Sequence, residues 1–160
     1  MAYIAVDLGG TNIRAARCDE EGRIAARAHR PTRPEEGVEA VIARIAEAIR
    51  EVWPADEPVV AIGVGAPGPL DPETGVILAA PNLGWENVPL AERLRALFGV
   101  PCVVGNDANL AALGEWAYGA GRGHRHLVYL TISTGIGGGV ITHGVLLEGA
   151  RGLGAELGHI

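Results

Sequence analysis

The stretch Asp7-Leu8-Gly9-Gly10-Thr11-Asn12 separates two apolar segments near the start of the chain. Residues 3–6 and 12–18 are typical of strands, and the two glycines between them predict a tight hairpin turn. Glycine in such a turn can adopt positive φ and lets backbone N–H groups approach an anion closely, so a phosphate can be bound without a lysine. An ordinary hairpin turn is the alternative interpretation of the same two glycines.

Asp7 adds a carboxylate to this turn from the end of the first predicted strand. A carboxylate repels a bare phosphate, but it helps to hold a hydrated Mg²⁺ between itself and a phosphate. Thr11 and Asn12 supply a hydroxyl and an amide on the other side of the turn. Together these groups indicate a metal–phosphate site with Asp7 near the metal; in the other interpretation, Asp7 only stabilises the turn.

Strand and helix patterns follow one another along the rest of the chain. Apolar residues recur at helical spacing from Val38 to Val52, with Pro34 before them and Pro54 after them, so the sequence predicts a helix beginning at about Glu35. The other predicted elements are strands at 24–28, 59–64, 101–104, 127–133 and 138–142, an extended piece at 76–79, and helices at 90–98 and 107–118.

The composition excludes several classes of protein. All thirteen cationic residues are arginine, and Ser133 is the only serine among 160 residues. The absence of lysine excludes a Walker-type phosphate loop, the protein-kinase lysine and Schiff-base chemistry, and the single serine leaves almost no serine-hydrolase scheme. The net charge of −6 argues against a nucleic-acid partner and against a basic membrane-binding face.

Cysteine usage and the apolar segments indicate a cytoplasmic protein. Cys18 and Cys102 have no Cys-x-x-Cys spacing, so neither a disulfide framework nor a zinc ribbon is indicated. No basic leader precedes the first apolar segment. The uncharged stretch 127–147 contains five glycines and four Ser or Thr residues, which favours paired strands over a membrane span.

Asn106-Asp107-Ala108-Asn109 follows a predicted strand and begins a predicted helix. This order places Asp107 at the carboxyl end of the strand, where open α/β folds bind ligands, and the helix N-terminus favours an ionised carboxylate. Such a group suits a general base that takes a proton from a substrate hydroxyl during phosphoryl transfer. Simple capping of the helix by Asn106 and Asp107 is the alternative.

Three further features complete the pattern. Gly119–Gly123 holds three glycines in five residues and is the predicted domain boundary. A second glycine turn, Thr134–Gly137, lies between the two strands that follow, and its likeness to the first turn suggests a duplicated unit. Glu156 and His159 are three residues apart and share one face if helical, so they can offer an acceptor and a donor to a polyhydroxylated ligand, or one metal ligand.

Six segments of the sequence resemble, in the same order along the chain, motifs of the ROK family (repressors, open reading frames, sugar kinases). The resemblance runs along essentially the entire chain. Within the family the glucokinases are the most similar. The six segments are Asp7–Asn12, Gly65–Gly68, Pro81–Trp85, Gly105–Asn109, Ser133–Gly139 and Glu156–His159.

The resemblance implies an α/β protein with an actin-like ATPase (ribonuclease-H-like) fold in two lobes. A complete amino-terminal lobe is expected at 1–118, a glycine-rich hinge at 119–123, and the truncated start of the second lobe at 124–160. ATP and Mg²⁺ are expected between the lobes, with the hexose in the cleft. The implied reaction is phosphorylation of the sugar, most simply of glucose to glucose 6-phosphate.

The resemblance also assigns residues to roles. Asp107 matches the catalytic base, and Asp7 matches an acid near the Mg²⁺. The phosphate-facing positions are Gly9, Gly10, Thr11, Asn12, Thr134, Gly135 and Gly137. The sugar-contacting positions are Asn82, Asn106, Asp107, Glu156 and His159, and His159 also matches the first ligand of a structural zinc.

The sequence departs from the family in length. ROK kinases are about twice as long, so this chain is expected to be the amino-terminal half of a homo-oligomeric enzyme and to be inactive alone. The zinc-binding cysteines would lie after Ile160, and His159 without them cannot hold a structural zinc. A second lobe cut after its first strands leaves apolar sheet edges that favour association.

Two other functions stay open. Sugar-responsive repressors of the same family carry a DNA-binding domain ahead of the first glycine turn, whereas here that turn begins at residue 9. A non-catalytic sugar-binding fragment is the second alternative. The identity of the hexose and the choice among ATP, ADP and polyphosphate as phosphate donor are open as well.

Overall fold

The computed structural model describes residues 1–132, 136–149, 154–155 and 157–159. The chain forms two compact units, Met1–Gly105 and Asn106–Ile160. The first unit contains β1 (Ala2–Leu8), β2 (Asn12–Cys18), β3 (Ile24–Pro31), α1 (Val38–Val52), β4 (Val59–Ala66), β5 (Leu70–Asp71), β6 (Val76–Ala80), β7 (Trp85–Val88), α2 (Leu90–Phe98) and β8 (Cys102–Asn106), whose last residue begins the second unit.

The main sheet of the first unit has the strand order β3-β2-β1-β4-β8. Its first three strands form an antiparallel meander, and β4 pairs with β1 in parallel. Leu8 pairs with Ile13 at the end of the β1–β2 hairpin, so the two glycines occupy the connecting turn. The three strands predicted at the start of the chain, and the tight turn between the first two, are confirmed.

Helix α1 covers one face of this sheet. Alternate residues of β1 are buried, since Ile4, Val6 and Leu8 point into the core, and α1 packs on β2 and β3 through apolar residues at helical spacing. The helix begins at Val38 rather than at Glu35. Pro34–Glu36 forms a separate 3-10 turn, and Gly37, with φ of 90°, breaks the path between the two.

A small antiparallel sheet of β5, β6 and β7 was not predicted as a sheet. Only its middle strand was expected, as the extended piece at 76–79. The outer strands have two and four residues, so they carry too little alternation to be recognised in a sequence. A 3-10 turn, Pro81–Leu83, connects β6 to β7 and carries Asn82.

The second unit packs one helix on one sheet. Its elements are α3 (Asp107–Tyr118), β9 (Leu127–Ile132), β10 (Ile136–Thr142) and β11 (Val145–Leu146). The strands form an antiparallel sheet in the order β11-β10-β9, which confirms the interpretation of 127–147 as paired strands. Strand β10 starts at Ile136, two residues before the predicted start. None of the helices in the described part of the chain is long and apolar enough to cross a membrane.

The division into units falls before α3, whereas the sequence placed the end of the first lobe after it, at residue 118. Helix α3 packs on β9 and β10, which accounts for its place in the second unit. The proposed hinge begins as a turn on the end of α3, because Gly119 N–H and Gly121 N–H both donate to the Glu115 carbonyl. Its role as a hinge stays a prediction.

Candidate functional site

The glycine turn of the first unit is tightly folded. Gly9 N–H donates to the Asn12 carbonyl at 2.9 Å. A Cβ on Gly9 would lie 3.2 Å from the Asn12 carbonyl oxygen, and a Cβ on Gly10 would lie 3.2 Å from Asn82 Nδ2. A side chain at either position would therefore require its neighbours to shift. Because both residues are glycine, the exposed surface of the turn consists of backbone atoms.

Asn82 brings a predicted sugar-contacting side chain beside a predicted phosphate-facing turn. It is exposed in the 3-10 turn after β6, while Leu83 and Trp85, which follow it, are almost fully buried. These two apolar anchors hold the exposed residue in place. Asn82 and Gly10 are far apart in sequence, but they lie close together within the first unit.

Thr32 fastens the glycine turn from inside the protein. Its side chain is completely buried, and Thr32 Oγ1 donates to the Gly9 carbonyl at 2.7 Å. Its backbone N–H donates to the Thr11 carbonyl at 2.9 Å. No sequence pattern indicates this role, because a threonine flanked by Arg and Pro after a strand is typical of an exposed loop.

Arg44 of α1 forms a hydrogen bond that stabilises the position of Thr32. Arg44 Nη1 donates to the Thr32 carbonyl at 2.9 Å, and its side chain is 16% exposed. Arg44 also forms an ion pair with Glu36, in which Arg44 Nη2 donates to Glu36 Oε2. This hydrogen bond lowers the pKa of the Glu36 carboxyl below its usual value. Arg33, the residue after Thr32, has φ of 50°, a left-handed conformation that costs a non-glycine residue about 1 kcal/mol and that the surrounding contacts must offset.

Asp7 lies on the outer face of the hairpin. Arg14, its cross-strand partner, donates to Asp7 Oδ2 at 2.8 Å, and His29 on the next strand contacts Asn12 Oδ1 through Nε2 at 2.9 Å. Asp7, Arg14 and His29 line an open cavity of about 560 Å³. The Asp7 side chain is 52% exposed, so one carboxylate and adjacent space fit a hydrated Mg²⁺, with Arg14 as a competing cation.

The second unit begins with the predicted base at a helix N-terminus. Asn106 caps α3, since its Oδ1 accepts from the N–H groups of Ala108 at 3.0 Å and Asn109 at 3.1 Å. Asp107 is the first helical residue, and its Oδ1 accepts from Ala108 N–H at 2.8 Å. The capping alternative therefore holds for Asn106, while Asp107 is positioned where the helix dipole favours a negative charge.

Glycines of β10 set the position of α3. A Cβ on Gly139 would lie 2.5 Å from the Ala112 Cβ, and one on Gly137 would lie 3.3 Å from the Ala108 Cβ. Gly137, predicted to face a phosphate, thus lies in a strand beside the residue that follows Asp107. The close approach of α3 explains why these positions of β10 are glycine.

Several predicted residues lie outside the described residues. These are Thr134 and Gly135 of the second glycine turn and Glu156; for His159, only its place in the 3-10 turn Leu157–His159 is described. The described residues contain no group of three or more His, Cys, Asp or Glu side chains that could hold a metal. The two cysteines lie in β2 and β8, so the residues present do not fit a structural zinc site.

A family model described as the ROK family matches residues 3–160 of the chain. This chain belongs to the ROK family. Glucokinase from Thermotoga maritima is 49% identical to it over 161 residues, covering 100% of this chain and 50% of that protein. The xylose repressor of Caldicellulosiruptor bescii is 36% identical over 115 residues, covering 72% of this chain and 29% of that protein. The family membership predicted from the six motifs is confirmed.

The solved structures confirm the fold of this ROK chain. The crystal structure of a ROK family glucokinase from Streptomyces griseus in complex with glucose and AMPPNP superposes with a TM-score of 0.92. The two sequences are 41% identical, and the match covers 100% of this chain and 50% of that one. The fold is the actin-like ATPase fold of the ROK sugar kinases. The chain spans about half the length of the curated relatives it matches.

Proposed function

We propose that the complete protein carrying this chain transfers the γ-phosphate of ATP to the primary hydroxyl of a hexose, with glucose as the first candidate. The observation that supports this most is Asp107, an acid at the start of α3 whose helix is capped separately by Asn106. The helix dipole favours a negative charge in that position, and a carboxylate there can accept a proton.

In the proposed reaction, Asp107 takes the proton of the sugar hydroxyl as its oxygen attacks the γ-phosphorus. The bond between the γ-phosphorus and the β,γ-bridging oxygen breaks, and ADP leaves. Because phosphoryl transfer needs mainly positioning and stabilisation of charge, the chain's other contribution is to bind and orient. The backbone of Gly9 and Gly10 is proposed to hold the phosphates, with Thr11 and Asn12 beside it.

Mg²⁺ would neutralise charge on the transferred phosphate when bound, and Asp7 is the residue of this chain that would hold it. Asn82, Asn106, Glu156 and His159 are proposed to orient the sugar. Thr134, Gly135 and Gly137 are proposed to face the phosphates from the second unit. These roles come from the match of this chain to the motifs of its family.

The repressor function is the alternative that a specific observation favours, since a xylose repressor is among the relatives. The two functions differ in one measurable step, because a kinase consumes ATP when the sugar is added and a repressor does not. A coupled assay of ADP formation with glucose, fructose, mannose and N-acetylated hexosamines separates them. The complete protein is expected to turn over with at least one of these sugars, and the 160-residue chain is expected not to.

A failure of the complete protein to consume ATP with any of these sugars contradicts the proposed function. Calorimetry with the same sugars then distinguishes a non-catalytic sugar-binding protein from one without sugar affinity. In the kinase, measuring the sugar phosphate formed with ATP, polyphosphate or ADP as the donor identifies the phosphate donor.

Asn106 combines a structural and a proposed functional role, and two variants separate them. Asn106→Ala removes the capping oxygen and is expected to lower the free energy of unfolding by about 1 kcal/mol. Asn106→Ser keeps a capping oxygen but not the amide, so it is expected to retain most of that stability while raising KM for the hexose. Urea denaturation and initial rates measure the two effects. A serine variant with unchanged KM would limit Asn106 to capping.

A further inference from the structure

We propose that Thr32 is a positioning residue for the phosphate donor, which it serves by fixing the orientation of the Gly9–Gly10 peptide. The inference rests on the proposed function for its kinetic consequences, but its structural content can be tested without it. Thr32 lies immediately after β3, inside the protein, and is expected to touch neither substrate nor phosphate.

Each polar group of Thr32 has a partner on another segment. The hydroxyl donates to the Gly9 carbonyl, the backbone N–H donates to the Thr11 carbonyl, and the backbone carbonyl accepts from Arg44. Among the described residues, Thr32 and Asn109 are the polar residues whose side chains are buried. A buried hydroxyl is retained where it satisfies a group that would otherwise be buried without a partner, and here that group is the Gly9 carbonyl.

The direction of one carbonyl determines the direction of the next N–H. The described chain contains no cis peptide bond, and in a trans peptide the C=O and the following N–H point in opposite directions. The Gly9 carbonyl points inward to Thr32 Oγ1, so the Gly10 N–H points away from the interior. That N–H is the one that an anion at the turn would meet.

A peptide between two glycines is the one most prone to rotate. Neither residue has a Cβ, so both can exchange between positive and negative φ at low cost. If this peptide rotated by half a turn, a carbonyl oxygen would replace the N–H and would repel a phosphate. The Thr32 hydroxyl opposes that rotation because the rotated carbonyl would lose its hydrogen bond.

Thr32 is itself held from the helix side. Arg44 is mostly buried and binds both the Thr32 carbonyl and the ionised Glu36. The turn is thus connected to α1 through two side chains rather than through its own short loop. This arrangement supports a positioning role, because a threonine needed only to fill space would not require a fixed backbone.

The kinetic test compares Thr32→Val with Thr32→Ser in the complete enzyme. Valine keeps the shape and removes the hydroxyl, while serine keeps the hydroxyl. Thr32→Val is expected to raise KM for ATP about tenfold, the effect of losing one well-formed hydrogen bond, with KM for glucose changed less than about twofold. Thr32→Ser is expected to restore the wild-type KM for ATP.

A matched control is Thr142→Val in β10, whose hydroxyl contacts His126 and His143 and lies outside the proposed site. It is expected to leave both KM values unchanged. Equal effects of Thr32→Val on both KM values, or no rescue by serine, would make Thr32 a structural residue only and would overturn the proposal. If the valine variant does not fold, Thr32→Ala is measured in the same assay, since it also removes the hydroxyl.

A second readout uses the complete protein without substrates and needs no activity. The Gly10 amide is expected to give one sharp NMR resonance in the wild type and in Thr32→Ser, and a broadened or doubled resonance in Thr32→Val. A single unshifted Gly10 resonance in the valine variant contradicts the proposal even if the enzyme is a kinase. An inactive wild type with the expected Gly10 behaviour contradicts the proposed function and leaves the orientation of the peptide established.

Discussion

Asp107→Asn is expected to lower kcat of the complete enzyme by at least about a thousandfold, within the range of 10² to 10⁴ that a general base contributes. The substitution keeps the size and one side-chain oxygen of Asp107, so the contact with Ala108 N–H can persist. The cap of α3 is also retained, because Asn106 supplies it. Hexose affinity is therefore expected to stay within a few-fold of the wild type, while proton acceptance is lost.

The measurement combines initial rates with calorimetric titration of the hexose. Asp56→Asn, in an exposed loop of the first unit, is a matched control for the loss of one negative charge, and it is expected to keep the wild-type rate. Substantial turnover by Asp107→Asn would exclude Asp107 as the base. A parallel loss of sugar binding would instead assign it to the orientation of the substrate.

The parts of the fold that the sequence predicted well are those decided by neighbouring residues. The β1–β2 hairpin follows from two glycines between apolar strands, and α3 follows from a capping asparagine before an alanine-rich segment. Each depends on interactions within a few residues, so the pattern is visible locally. Helix α1 was predicted with its start three residues early, because Pro34–Glu36 continues the helical pattern in sequence while Gly37 interrupts it in space.

The parts that could not be predicted depend on contacts between distant segments. The hydrogen bond from Thr32 to Gly9 and the proximity of Asn82 to Gly10 arise from the packing of distant segments. Neither a threonine nor an asparagine in the sequence indicates such a contact. Gly137 was interpreted as part of a phosphate turn, whereas the missing side chains of Gly137 and of Gly139 in the same strand also allow α3 to approach closely. A glycine-rich sequence therefore indicates that another group approaches the backbone closely. It does not indicate whether that group belongs to a ligand or to a helix.

Gly68 is another glycine that admits a close neighbour, and its substitution is expected to have the largest effect on the free energy of unfolding. Gly68 has φ of 85°, and a Cβ there would lie 1.9 Å from the Ala79 carbonyl oxygen, a backbone atom that cannot rotate away. Positive φ costs a non-glycine residue about 1–2 kcal/mol, and overpacking adds about 1–3 kcal/mol. Gly68→Ala is therefore expected to lower the free energy of unfolding by roughly 2–5 kcal/mol.

Urea denaturation of the 160-residue chain measures this effect, with Gly63→Ala as the matched control. A Cβ on Gly63, in β4, meets no atom within 4 Å, so that variant is expected to unfold within about 1 kcal/mol of the wild type. Equal midpoints for the two variants would contradict the close approach of Gly68 to β6.

The same clash has a functional consequence in the complete enzyme. The Pro69 carbonyl accepts from the N–H groups of Leu78 and Ala79, so the loop that carries Gly68 is bound to β6 just before the turn with Asn82. Relief of the clash by movement of β6 would displace Asn82 from Gly10. Wherever Gly68→Ala still folds, KM for the hexose is therefore expected to rise, while Gly63→Ala, which leaves β6 in place, keeps the wild-type value.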